Sequence, residues 1–331
     1  MKNFFISVVV IGLLTVSCSN DDDSSNDELK LVTTSNTSSK VSYTNYLSST
    51  TEAKSFTVAG ADADGAYFDS ENDELIIASR TNNRLELYTG LNASVKNNED
   101  NLNLSFSSTS DFNNPREIAV INDKVVVTQD QNAANGNVNK LVVYQKTATG
   151  FTLLNSYTVN FKTWGIHIDG NTLYAVADLT SDLVVFNDFF SNPSGSITPS
   201  KRVTIQGLVR THGITFSKKH NTMVLTDVGS AASSTDGGVI VIKNFTNVLM
   251  ETPDMGTISS DDQIRVYGAN SKLGNPVDVA YDEETKYIYV AERLSGGGQV
   301  LVFGMPTSNG DVLPISSRIE AGISSVYLIR K

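Results

Sequence analysis

The chain has 331 residues with 25 basic and 36 acidic side chains, a net charge of −11. A surface of that sign repels nucleic acid and anionic lipid headgroups, which excludes nucleic acid as a partner. Cys18 is the single cysteine, so no internal disulfide can form and the fold must be stable from its core alone.

In chain order, Lys2 precedes an almost wholly apolar run, Phe4 to Leu14, which is shorter than the ~20 residues needed to span a bilayer. Short side chains, Thr15, Val16 and Ser17, lead directly to Cys18. This stretch resembles the lipobox of bacterial lipoproteins, with Thr15 where the family usually has leucine. The following Ser19 to Asp23, "SNDDD", is similar to the acidic tag of Bacteroidota-type surface lipoproteins. The resemblance implies a signal peptide over 1–17, lipidation of Cys18 and a mature protein anchored in the outer membrane and exposed at the cell surface. Removing 1–17 takes away Lys2 and no acid, leaving 24 basic against 36 acidic side chains, or −12. Residues 18–27 are acidic and nearly free of apolar groups, the composition of a flexible tether.

From residue 28 onward, short runs rich in Val, Ile, Tyr and Phe alternate with Asn, Asp, Gly and Ser clusters, which predicts many short antiparallel strands. The runs recur in a fixed order: apolar strand, turn, second strand, loop, and a third strand ending in Tyr or Phe. "GAYFDSENDELIIASRTNNRLELY" (65–88), "GIHIDGNTLYAVADLTSDLVVF" (165–186) and "DVAYDEETKYIYVAERLSGGGQVLVF" (278–303) show it most clearly. First strands begin at Gly65, Glu117, Gly165, Gly213 and Asp278, in steps of 52, 48, 48 and 65 residues. Such a period, with three or four strands per unit, predicts a β-propeller. "SVYLIRK" (325–331) reads as a sixth first strand, and "DELKLVTTSNTSSKVSY" (27–43) as a second and third strand. The expected fold is therefore an all-β, six-bladed propeller over 28–331, its ring closed by N-terminal strands pairing with the C-terminal one. "NPREIAV" (114–120), "NPVDVAY" (275–281) and "LYAVADLTSDLVVF" (173–186) resemble repeats of NHL-type and TolB-like six-bladed propellers. The resemblance is one of scaffold; such folds host gluconolactonase-like enzymes, lyases and binding proteins.

In this fold the loops entering the inner strands form one mouth of a central channel, where ligands bind. Asp64, Arg116, Trp164, His212 and Asp278 stand at or just before the inner strands, and offer a carboxylate, a cation, an indole and an imidazole to one axis. His212 and Asp278 are the candidates for moving a proton. The ends of the second strands align Arg80, Gln129, Asp178, Asp227 and Glu292. Asp178, Asp227 and Glu292 are metal candidates for Ca²⁺ or another divalent ion if they point inward; otherwise they brace the following loop by accepting backbone N–H bonds. His167 is expected between blades and His220 at a solvated hairpin tip. No G-x-S-x-G, H-E-x-x-H or C-x-x-C motif occurs.

Two functions of different class follow. The first is a lipid-anchored, monomeric surface protein that captures a small-molecule, glycan or protein ligand on one face of the propeller. The second is a metal-dependent lactonase of gluconolactonase-like type at the channel mouth. Arg116 and Trp164 favour the first, which needs no cofactor; an assembly scaffold with an empty channel is a third arrangement.

Overall fold

The computed structural model describes residues 28–47 and 52–331. The signal peptide, Cys18 and the tether predicted over 1–27 lie outside the described residues. Strands run from Leu29 to Arg330 in six sheets arranged as a ring, with two short helices, Leu91–Asn97 and Phe245–Glu251. The inner strands of blades 1 to 6 are Ala63–Asp69, Pro115–Ile121, Thr163–Asp169, Thr211–Ser217, Pro276–Tyr281 and Ile323–Arg330. Each stands at one end of its sheet, with one edge free toward the axis.

Blade 6 closes the ring. Its inner strand is C-terminal, and its next three, Leu29–Ser35, Lys40–Asn45 and Lys54–Thr57, are N-terminal. Leu29 faces Arg330, Leu31 faces Leu328 and Thr33 faces Val326. Backbone bonds between Glu28 and Lys331 seal the pair. Joining both chain ends in one sheet leaves no open junction in the ring. Outer strands form at Lys54–Thr57 in blade 6 and Gly150–Val159 in blade 2.

The core is divided among six hydrophobic clusters, one per blade interface. Because each central strand is packed on both faces, strands such as Lys124–Gln129 and Thr222–Asp227 carry apolar runs rather than strict alternation. The long insertion after blade 4's third strand is partly structural. Its Thr257–Ile258 adds in parallel to Thr204–Ile205, the outer strand of blade 3. Gly195–Ser196 of blade 3 does the same to Tyr157–Thr158 of blade 2. Such clasps tie neighbouring blades at their rims.

Candidate functional site

Five inner strands shift register against their second strands near their start, between Asp64 and Ala66, Pro115 and Ile118, Thr163 and Ile166, Thr211 and Ile214, and Pro276 and Asp278. A bulge turns the side chains on either side of it away from the plain alternation of a strand. The register makes Asp64, Arg116, Trp164, His212, Val277 and Ser324 equivalent, one per blade, and these ring the mouth. The next residues, Gly65, Glu117, Gly165, Gly213, Asp278 and Ser325, form a narrower ring below. A Cβ at Gly65 would stand 2.7 Å from the Ile118 nitrogen, one at Gly213 2.8 Å from the Asp278 Cα, and one at Gly165 would overlap the His212 carbonyl oxygen. The strands approach so closely here that glycine is required. Asp278 thus lies level with Glu117, as the repeat frame has it, and one residue below Asp64.

Around the upper ring, three consecutive blades build a stack. The Trp164 and His212 rings lie 3.6 Å apart and nearly parallel, at 6°. The Arg116 guanidinium lies 4.2 Å from the Trp164 centroid. Two groups so close to one ring cannot share a face, so Trp164 is sandwiched between cation and imidazole. A belt of alternating charge surrounds this stack. Asp64 lies 3.6 Å from both Arg80 and Arg116. Arg116 bonds Asp130 at 2.8 Å, Lys162 bonds Asp178 at 2.8 Å, and Arg210 bonds Asp178 at 2.7 Å. His212 Nε2 meets Asp178 Oδ1 at 3.0 Å, and its Nδ1 is buried without a hydrogen-bond partner.

Burial acts to raise the Asp178 carboxyl, but hydrogen bonds from His212, Arg210 and Lys162 outweigh it and hold the group well below the ordinary carboxylate range. Burial pushes His212 down to about 4 despite its bond to Asp178, so at neutral pH it is a neutral imidazole whose Nε2–H donates to the carboxylate. The Asp130 and Asp178 side chains are at most 2% exposed, whereas Arg80, Arg116, Lys162 and Arg210 keep 13–22%. The anions are therefore behind and the cations in front. Arg293 adds a fifth positive group beside Arg80 and Arg116, without an ion-pair or side-chain hydrogen-bond partner among the described residues. Leu179 and Val209, each 62% exposed, lie next in sequence to Asp178 and Arg210 and put apolar surface on the rim.

The second-strand ends divide into two sets. Gln129, Asp227 and Glu292 pair with the first residues of the inner strands, and Arg80, Asp130, Asp178 and Arg293 come one residue later. Asp227 accepts N–H bonds from Val209, Arg210 and Gly229 and the Tyr267 hydroxyl. Glu292 accepts them from Gly274, Asn275, Leu294 and Ser295. Both are loop braces in this geometry, and the three metal candidates do not converge. Among the described residues no group of three or more His, Cys, Asp or Glu side chains is arranged to hold a metal. His167 packs edge-on against Phe216, 6.3 Å away, and His220 bonds the Tyr281 hydroxyl at 2.8 Å. Asp130, Lys162, Arg210, Arg293 and Glu117 were not singled out by the sequence. Asp130 was detectable, since "TQD" and "ADL" align only after a slip of one residue.

No family profile and no curated protein matches the chain. Solved structures do match over most of its length. A chain of a nidogen/laminin complex aligns over 91% of this chain and 98% of its own, with a TM-score of 0.61 and 12% identity. A protein of unknown function from Bacteroides caccae aligns over 92% and 100%, with 0.57 and 10%. A putative 6-phosphogluconolactonase from Bacteroides uniformis aligns over 88% and 83%, with 0.57 and 15%. At such identities the likeness is one of fold: the protein is a six-bladed β-propeller whose mouth is ringed by cations.

Proposed function

We propose that the protein is a lipid-anchored surface receptor that captures an anionic ligand, one bearing a carboxylate, sulfate or phosphate, at the channel mouth. The observation that carries this reading is the layering of charge. Buried Asp130 and Asp178 preorganise Arg116, Lys162 and Arg210, whose outer edges remain solvent-accessible together with Arg80 and Arg293. Arginine forks held in place by carboxylates lose little freedom when an anion docks. The apolar rim of Leu179 and Val209 suits a ligand whose charged group sits on a less polar body.

The path of the chain agrees with such a role. Inner strands start at the mouth, and Leu29 pairs with Arg330 at the far end of the last one. The chain therefore enters the domain on the face opposite the site. An anchor at Cys18, ten residues before Glu28, turns the mouth away from the membrane.

Titration of the mature protein with a uronic-acid oligosaccharide, a sulfated oligosaccharide and a phosphate ester tests the reading. Saturable binding that weakens with salt, and falls about tenfold or more in Arg116→Ala, is expected. Binding of none of them, or binding indifferent to salt and to Arg116, would refute it. The lactonase reading is checked in the same samples: turnover of a phosphorylated lactone, lost in Asp278→Asn, would place hydrolysis above capture.

A further inference from the structure

Below the glycine ring lies a cavity of about 260 Å³, on the side of the channel away from the mouth. Its walls are half apolar, from Ala119, Ile166, Ile214 and Val326 among others, and half polar, with Thr215 and His167 on the lining. Toward the far face it meets Tyr67 and Tyr327, whose rings are 5.1 Å apart. Glu117 and Asp278 border its inner end. Neither has an ion-pair partner among the described residues, and no Lys or Arg lines the cavity. Asp278 spends both oxygens on backbone N–H groups of Val279 and Val326. Glu117 does not. Its Oε1 accepts from the Ile118 N–H, while Oε2 has no hydrogen-bond partner among the described residues, although the residue is only 9% exposed.

An unpaired carboxyl at the inner end of a cavity lined by both aliphatic side chains and polar strand edges asks for one kind of guest. A metal ion needs several oxygen or nitrogen ligands, and no such group is present among the described residues. An anion would face two carboxyls and no cation. An ammonium group on an alkyl stem meets each part of the site. Its three N–H donors can reach Glu117 Oε2 and carbonyls on the free edges of the inner strands, and the stem lies along the valine and isoleucine walls. Tyr67 and Tyr327 offer ring faces near the far opening.

We propose that the channel is a second binding site, taking a small primary alkylammonium ion from the face opposite the mouth, with Glu117 as its counter-ion. Burial, and the nearby Asp278 and Asp64, raise the Glu117 carboxyl well above its ordinary range. The empty site therefore holds a proton that the guest displaces, and RNH₃⁺ binding is accompanied by release of H⁺ from the Glu117–Asp278 pair.

Calorimetric titration of the mature protein with n-butylammonium chloride near neutral pH, in two buffers of different ionisation heat, tests this. Saturable binding is expected, with proton release visible as a buffer-dependent enthalpy. Affinity should fall about tenfold or more in Glu117→Gln and fall also in Asp278→Asn. n-Butanol, the neutral analogue, should bind at least tenfold more weakly. No saturable heat up to roughly 50 mM, where millimolar affinity is still visible, would overturn the proposal. So would equal binding of butanol, tighter binding of Ca²⁺, or affinity unchanged in Glu117→Gln. Should that variant fail to fold, Asp278→Asn and the comparison with butanol decide the matter alone.

Discussion

Buried carboxyls in this molecule fall into two electrostatic classes, and the difference is set by what each one touches. Asp178 is ringed by Lys162, Arg210 and His212 and remains ionised. Asp64, Glu117 and Asp278 crowd one another in the narrow rings. Burial lifts Asp64 to about 6, against the pull of Arg80 and Arg116, and Asp278 to about 7; burial, then the nearby Asp278 and Asp64, also holds Glu117 well above its ordinary range. In the unfolded chain a carboxyl ionises near 4, so these three hold protons that unfolding releases. Their contribution is fully present below about pH 4 and is lost as pH rises toward 7. His167 and His212, both pushed down to about 4 by burial, act oppositely between pH 6.5 and 4, because the unfolded chain binds their protons first. The bare pH profile thus mixes two trends, and a difference isolates one. Asp278→Asn should be more stable than the parent at pH 8 by ~1–3 kcal/mol, with the gap closing by pH 4. Urea midpoints at the two pH values check this; a gap independent of pH would show that the carboxyl is ionised throughout.

At the scale of the strand, the site depends on a bulge and a missing side chain. The bulge presents Asp64, Arg116, Trp164 and His212 at the mouth, and glycine at the next position in three of the four, Gly65, Gly165 and Gly213, lets the strands close beneath them. Gly165→Ala would press a methyl group against the His212 carbonyl, backbone that cannot step aside. A loss of more than about 2 kcal/mol is expected, together with displacement of the Trp164–His212 stack, visible in tryptophan fluorescence. Gly150, at the start of an outer strand with nothing within 4 Å, is the control: alanine there should change stability by less than about 0.5 kcal/mol. The same bulge explains what the sequence could and could not disclose. Four of the mouth residues were legible because each precedes an apolar run in a repeated frame. Asp278 stands at the strand start rather than just before it, level with Glu117, because in "NPVDVAY" Val277 takes the mouth position. Alternating patterns report which face a residue occupies but carry no register across an inserted residue. Lys162 and Arg210 stayed hidden because a lone cation before a strand looks like any solvated loop residue until its buried partner is seen.

At the scale of the whole molecule, ring closure fixes where the chain enters the propeller relative to the site. Blade count and the closing strand were both legible, since the unfinished repeat at each end complements the other, and Leu29 to Thr34 indeed pair with Ser325 to Arg330. That closure puts Glu28 just before the second strand of blade 6, at the face opposite the mouth. From Cys18 the tether spans at most about 36 Å. Laying the mouth on the bilayer would take it past two further strands at ~4.8 Å each. It would then climb a blade seven residues tall, about 23 Å at ~3.3 Å per residue. That path leaves only a few ångströms of slack, so the proposed anchor at Cys18 predicts a mouth that points outward. With Cys18 acylated, the protein has no other thiol, and single cysteines become unique labels. On lipidated protein in vesicles, a donor dye on Lys219→Cys, in a hairpin of the far face, should transfer energy to lipid-bound acceptors more efficiently than one on Val209→Cys at the rim. Equal or reversed transfer would mean that the disc lies on its edge or upside down, and would remove the geometric support for capture at an outward-facing mouth.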